Sequence, residues 1–93
     1  MIRSFADKET ESLFRCGKSR RFPPEILRRA ILRLNQLEYA DSVDDMRFPP
    51  SNHLEALKGE RAGQWSLRIN AQWRLCFRFE ASDAFDVTII DYH

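Results

Sequence analysis

The sequence predicts an α+β domain in which two N-terminal helices pack on one face of a twisted antiparallel β-sheet. Two periodicities indicate this class. Apolar residues recur at three- and four-residue steps near residues 24–39, as on one face of a helix. From residue 65 onward they alternate with polar residues, as in half-buried strands. The helices therefore come first and the sheet follows.

Each helix has recognisable boundary residues. Asp7 is a candidate N-cap before an acidic first turn, and Gly17 is a candidate stop for the first helix. Pro24 suits the first turn of a second helix, which should run from about Pro24 to Tyr39. Its apolar stripe comprises Leu27, Ala30, Ile31, Leu34 and Leu37. Arg28, Arg29 and Arg33 lie off this stripe, so the helical hairpin should have a basic outer surface.

The second half predicts three strands joined as a meander. An irregular connector from Asp41 to Asn52 precedes them. A short strand at residues 2–5 could pair at one edge of the sheet. The apolar positions expected to cover the helices are Trp65, Leu67 and Ile69 in the first strand, Trp73, Leu75, Phe77 and Phe79 in the second, and Phe85, Val87 and Ile89 in the third.

Size and composition favour one small globular domain over residues 1–93. Of its 93 residues, 43% are hydrophobic and 31% charged, and the chain has no apolar run long enough to span a bilayer. The N-terminus lacks the apolar core of a secretory signal. Cys16 and Cys76 have no metal-ligand spacing. We therefore expect a cytoplasmic protein with reduced thiols, no metal and no cofactor.

The formal net charge of +1 conceals a segregated distribution. Between Arg15 and Arg33 there are seven basic residues and a single acid, Glu25. Arginine dominates the basic residues, and its guanidinium group suits bidentate contacts with phosphate. This basic band predicts a polyanionic partner, although a solvated helix face would have a similar composition.

Strand alternation also predicts a second face of the sheet, turned away from the helices. Four residues fall on it: Arg68, Arg74, Cys76 and Arg78. Converging guanidinium groups on an open face would form a phosphate site. Alternatively, these arginines form ordinary ion pairs with Glu80 and Asp86.

Several segments together resemble a known family. They are LEALKGERAGQWSLRIN at residues 54–70, WRLCF at residues 73–77, the final DYH, and the opening MIRSF with Leu13, Phe14 and Gly17. Their order and spacing resemble the HigB family of bacterial toxins within the RelE/ParE superfamily, and the resemblance covers essentially the whole chain.

The resemblance implies a function as well as a RelE/ParE-like fold. HigB-type toxins are ribosome-dependent endoribonucleases that cleave mRNA and arrest translation. A HigA-type helix-turn-helix antitoxin holds them inactive, and operator DNA is bound only through that antitoxin. Two alternatives stay open: a non-enzymatic, ParE-like inhibitor of DNA gyrase, and a catalytically weakened homologue that binds RNA without cutting it.

The implied chemistry can be matched to residues. The RNA 2′-hydroxyl would attack the adjacent phosphorus without a metal ion, if cations stabilise the added charge and side chains transfer the protons. Arg68 and Arg74 could grip the scissile phosphate, and Lys58 is a third candidate cation. The candidate RNA contacts are Lys58, Arg61, Arg20, Arg21, Arg28 and Arg29.

The resemblance places the final three residues near the catalytic site. His93 is the candidate general acid, because imidazole titrates near neutrality and the adjacent α-carboxylate would favour its charged form. Asp91 would act as a base or orienting group, and Tyr92 would stack or donate a hydrogen bond. The alternatives are a frayed terminal residue, a strand-end acid and an aromatic residue at the edge of the core.

One position departs from the family pattern. Some members have a histidine two residues before the Leu-Lys-Gly tripeptide, where this chain has Glu55; His53 lies two residues further upstream. Glu55 is favoured as the general base over His53. Cys76 is expected to pack beside the arginines without acting as a nucleophile.

Overall fold

A computed structural model describes residues 1–92; His93, the candidate general acid, lies outside the described residues. The sheet has four antiparallel strands in the order β1-β2-β3-β4, and the two α-helices lie before it in the chain, which confirms the α+β prediction. The elements are α1 (Lys8–Cys16), α2 (Pro24–Tyr39), 3₁₀ turns at Val43–Arg47, Pro50–Asn52 and Gly59–Arg61, β1 (Glu55–Ala56), β2 (Trp65–Arg68), β3 (Trp73–Glu80) and β4 (Asp83–Asp91).

Helix α1 has both predicted boundary residues. The Asp7 side chain accepts a hydrogen bond from the Thr10 backbone N–H, 2.9 Å away, as an N-cap. Gly17 ends the helix in the left-handed conformation, with φ 72°, and its N–H bonds to the Leu13 carbonyl. The predicted cap and stop are therefore confirmed.

The Gly17→Ala variant should lose about 1 kcal/mol of folding free energy. No heavy atom lies within 4 Å of the position that the added Cβ would take, so the cost arises from the left-handed backbone rather than from a clash. Urea denaturation of the wild type and the variant measures the difference. The matched Gly17→Asn variant should lose less, because asparagine tolerates this conformation; equal losses in both variants would contradict the explanation.

Helix α2 has the predicted bounds, but the prediction that Arg33 lies on a basic outer surface was wrong. Arg33 is buried, and its Nε donates to the Arg68 carbonyl at 3.1 Å, while Arg29 Nη1 donates to the Ile69 carbonyl at 3.2 Å. Strand β1 pairs with Trp65 and Ser66 alone, so it does not cover the end of β2. Both guanidinium groups satisfy carbonyls there, and Arg33 is withdrawn from the solvated surface while Arg29 stays exposed.

The buried positions of the sheet match the predicted alternation except beside a β-bulge in β4. Leu67, Leu75 and Ile89 are fully buried against the helices. At Asp86, whose φ is 55°, the register shifts, so that Ala84 and Val87 are both fully buried. Phe85 instead pairs with Arg78, whose guanidinium carbon lies 5.2 Å from the ring centroid. The prediction that Phe85 lies in the core was therefore wrong.

The edge of the sheet beyond β4 is occupied by the N-terminal segment. Ile2 and Phe5 form isolated parallel bridges with Ala84 and Val87, which confirms the predicted edge pairing. The connector contains 3₁₀ turns and is tied down by the buried Asn52 side chain, which donates to the Met46 carbonyl at 3.0 Å. Within residues 1–92, the structure contains no helix that is both long and apolar enough to cross a membrane.

Candidate active site

The strand register builds a row of side chains on the face of the sheet opposite the core. Arg68 lies across from Arg74, and Ser66 lies across from Cys76. Partners in antiparallel strands point to the same side, with Cβ atoms about 5 Å apart. The face predicted from strand alternation is therefore present. Arg78 lies further along β3, where its guanidinium donates to Asp86 at 2.8 Å and to Glu80 at 2.9 Å, as in the ion-pair alternative.

Arg74 is the most buried of the three arginines of this face. Its side chain is 10% exposed. Nε donates to Ser66 Oγ at 2.8 Å, and Nη2 donates to the His53 carbonyl at 2.6 Å. Nη2 also lies 3.4 Å from a Glu55 carboxylate oxygen, and the guanidinium carbon lies 5.6 Å from the centroid of the Tyr92 ring. The guanidinium is thus fixed by contacts at two of its three nitrogens.

A cleft of about 300 Å³ is formed in part by Glu55 and Tyr92, both of which contact Arg74. It is lined by Glu55, Ala56, Leu57, Lys58 and Tyr92. Glu55 reaches this position because β1 pairs with β2 and places Glu55 opposite Ser66. A carboxylate, an ammonium and a phenol therefore surround a space next to a buried guanidinium. Of the sequence-predicted site residues, Glu55, Lys58 and Tyr92 line this cleft, Glu55 and Tyr92 contact Arg74, and Arg68 lies across from Arg74 in the strand register.

Cys76 lies among these arginines as a protonated thiol. Burial raises its pKa, and the positive charges of Arg61 and Arg74 offset this effect in part. Arg61, a predicted RNA contact, is half-buried and donates to the Gln64 side chain at 3.2 Å. The prediction that Cys76 packs beside the arginines is confirmed, and its raised pKa does not favour a nucleophilic role.

Two other predicted site residues, Asp91 and His53, are not among the residues that line the cleft. Asp91 pairs in register with Trp73, one position from Arg74, so it lies on the opposite face of the pleat; its carboxylate accepts a hydrogen bond from Gln72 at 3.0 Å. His53 is exposed, has a positive φ of 44°, and contributes its backbone carbonyl to Arg74.

The predicted basic band is divided among different environments. Arg20, Arg21, Arg28 and Arg29 are all exposed. Arg21 lies 3.5 Å from Asp7 and stacks on Phe22 at 5.4 Å, and Arg29 is bonded to the Ile69 carbonyl. Arg20 and Arg28 are therefore the candidates for a polyanion that these contacts do not engage.

Ser66, the fully buried partner of Arg74, was not among the site residues predicted from the sequence. Its position in the alternating segment 65–69 already placed it on the arginine face. A short hydroxyl side chain carries no signal of its own, however, and the contact depends on the register between β2 and β3.

Comparison with known proteins supports the resemblance. The family described as RelE-like toxin of type II toxin-antitoxin system HigB matches residues 3–93. The chain belongs to the HigB-like toxin family. This membership implies an antitoxin partner, and it confirms the resemblance stated from the sequence motifs.

Relatives of this HigB-like toxin align over its full length. "Endoribonuclease HigB" of Proteus vulgaris is 33% identical over 93 residues, covering 100% of both chains. "Toxin HigB-1" of Vibrio cholerae is 35% identical over 94 residues, covering 100% of this chain and 98% of that one.

Solved structures agree on the fold. A YoeB/ParE toxin from Agrobacterium tumefaciens matches with a TM-score of 0.51 at 21% identity, over 99% of this chain and 96% of that chain. The protein HP0894 from Helicobacter pylori matches with a TM-score of 0.52 at 19% identity, over 96% and 94%. At these identities the likeness shows the RelE-like fold alone.

Proposed function

We propose that this HigB-like toxin is an endoribonuclease that cleaves mRNA on the ribosome, with the RNA 2′-hydroxyl as nucleophile and without a metal ion. The observation that carries the proposal is Arg74, held rigidly beside a cleft lined by Glu55, Lys58 and Tyr92. The name of the Proteus vulgaris relative, an endoribonuclease, supports the same activity.

The guanidinium of Arg74 is arranged to bind the scissile phosphate. Its Nε and Nη2 contact the protein, which leaves the N–H groups of Nη1 to donate to phosphate oxygens. Arg68 is the register partner of Arg74 on the adjacent strand, and Lys58 lines the cleft. Together these cations would stabilise the charge that develops on phosphorus as the 2′-oxygen attacks.

Proton transfer is assigned to groups at the cleft and at the C-terminus. Glu55 is the general base that takes the 2′-hydroxyl proton, because its carboxylate lines the cleft, whereas His53 faces Arg74 through its carbonyl. His93 is the general acid that protonates the 5′-oxygen, with Tyr92 stacking on a base. Asp91 lies on the other face of the pleat from Arg74, so we assign it the role of an orienting group rather than that of the base.

The ribosome would align the mRNA for cleavage, which a small open cleft cannot do alone. It would hold mRNA so that the 2′-hydroxyl, the phosphorus and the leaving oxygen are in line, which accounts for part of the rate. Arg20 and Arg28 would bind ribosomal RNA phosphates. A cytoplasmic location follows from this activity, as does control by a HigA-type antitoxin, through which alone the toxin would associate with operator DNA.

The Arg20→Gln, Arg28→Gln double variant is expected to weaken ribosome association and to reduce the slope of log affinity against log salt by about 1.5, because two phosphate contacts are lost. Equilibrium binding to ribosomes at several salt concentrations measures this slope. The control is Arg47→Gln, which removes an exposed arginine paired with Asp44 at 2.9 Å. A double variant with the wild-type slope would contradict the assignment.

Cleavage of a defined mRNA on programmed ribosomes tests the proposed activity. We expect the purified toxin to cut ribosome-bound mRNA at one site and to leave free mRNA intact. A single 2′-deoxynucleotide before the cut should abolish cleavage, because the nucleophile is then missing, while the same substitution two nucleotides away should not. Cleavage of the deoxy-substituted site would contradict the mechanism. Absence of cutting together with inhibition of DNA gyrase would support the alternative instead.

A further inference from the structure

Ser66 occupies the centre of the arginine face without access to solvent. It lies across from Cys76 in β3 and from Glu55 in β1, and it is fully buried. A buried hydroxyl needs a hydrogen-bond partner. Here the partner is the Nε of Arg74, 2.8 Å away.

We propose that Ser66 is a positioning residue that sets the orientation of the Arg74 guanidinium towards the cleft. The inference rests on the proposed function, in which Arg74 binds the scissile phosphate. A guanidinium anchored at one nitrogen can pivot about that contact, whereas anchors at two nitrogens fix its plane. Ser66 anchors Nε, and the His53 carbonyl anchors Nη2.

The other contacts of Arg74 cannot replace Ser66. Glu55 is 56% exposed and lies 3.4 Å from Nη2, the nitrogen that His53 already holds. Tyr92 covers a face of the guanidinium at 5.6 Å, which limits tilt but not rotation within the plane. Without the Ser66 hydroxyl, the group would turn about Nη2 and the N–H groups of Nη1 would lose their alignment with the phosphate.

The test compares Ser66→Ala with Cys76→Ala, a control that truncates the neighbouring buried side chain of the same face. Single-turnover cleavage on saturating programmed ribosomes should fall about 10–100-fold in Ser66→Ala, as for other small misplacements of a binding group. The concentration of ribosomes giving half the maximal rate should not change. Cys76→Ala should stay within about twofold of the wild-type rate.

A spectroscopic signal separates positioning from loss of structure. In the wild type, the Nε–H of Arg74 should give a nitrogen-15 NMR resonance protected from exchange, because it is buried and bonded. Protection should be lost in Ser66→Ala and kept in Cys76→Ala, with the backbone amide spectrum preserved in both.

The possible outcomes separate the two proposals. If the wild type cleaves and Ser66→Ala cleaves at the same rate, the positioning role is wrong while the proposed function stands. If the wild type does not cleave, the proposed function has failed. The Arg74 Nε resonance then decides independently whether Ser66 holds the guanidinium, and retained protection in Ser66→Ala would overturn the inference.

Discussion

Replacement of Arg74 by lysine is expected to lower the rate of mRNA cleavage on the ribosome about 10²–10³-fold, the usual loss when one preorganised donor to a developing anion is removed. Lysine keeps the positive charge. It cannot bond simultaneously to Ser66, the His53 carbonyl and a phosphate in the planar geometry of a guanidinium. Single-turnover cleavage with saturating programmed ribosomes measures the effect on the chemical step.

The matched control is Arg78→Lys, a change of the same kind on the same strand. Arg78 is paired with Asp86 and Glu80 and has no place in the proposed chemistry, so its replacement should leave the rate within about twofold. Circular dichroism and antitoxin binding would establish that both variants are folded. Equal rates for Arg74→Lys and the wild type would remove Arg74 from the site.

The second large effect concerns stability. The Asp7→Ala variant should lose about 2–3 kcal/mol of unfolding free energy at pH 7, because one carboxylate caps α1 and also accepts charge-assisted hydrogen bonds from two hydroxyl groups. The Thr10 hydroxyl lies at 2.8 Å and the Thr88 hydroxyl at 2.7 Å. The contact with Thr88 ties the helix to β4. Urea denaturation measures the loss, and Glu11→Ala, which removes an exposed ion pair with Arg15, should cost less than about 1 kcal/mol.

The pH dependence of the same variant gives an independent check. Burial opposes ionisation of Asp7, but the hydrogen bonds from Thr10 and Thr88 and the charge of Arg21 outweigh it and lower the pKa below the ordinary 3.8. A lowered pKa contributes stability that is fully present above the unfolded-state value and is lost as pH falls through the folded-state value. The difference between wild type and Asp7→Ala should therefore shrink as pH drops below 3.8. A constant difference down to pH 2 would contradict this assignment.

Those parts of the fold that depend on local pattern were predictable from the sequence. The cap at Asp7, the stop at Gly17 and the bounds of α2 each depend on residues within a few positions of one another. The burial of Arg33 and the exclusion of Phe85 from the core were not predictable in this way. The first depends on how short β1 is, and the second on a bulge at Asp86, both of which are set by pairing between distant segments.

The candidate site was likewise predictable only in those features that depend on local sequence pattern. Strand alternation placed Arg68 and Arg74 on one face before the register was known. The position of Glu55 in the cleft required the pairing of β1 with β2, and the role of Ser66 required an interatomic contact. The catalytic roles of Glu55, Asp91, Tyr92 and His93 remain predictions from the family resemblance and from chemistry.

Primer extension on cellular mRNA after brief induction tests the central claim most directly. The wild-type toxin should produce discrete cuts in phase with codons, and Arg74→Lys and His93→Ala should not, while Arg78→Lys should cut like the wild type. Cuts that persist in both site variants would contradict the assigned site. Growth arrest by the wild type without any cuts would contradict the proposed ribonuclease activity.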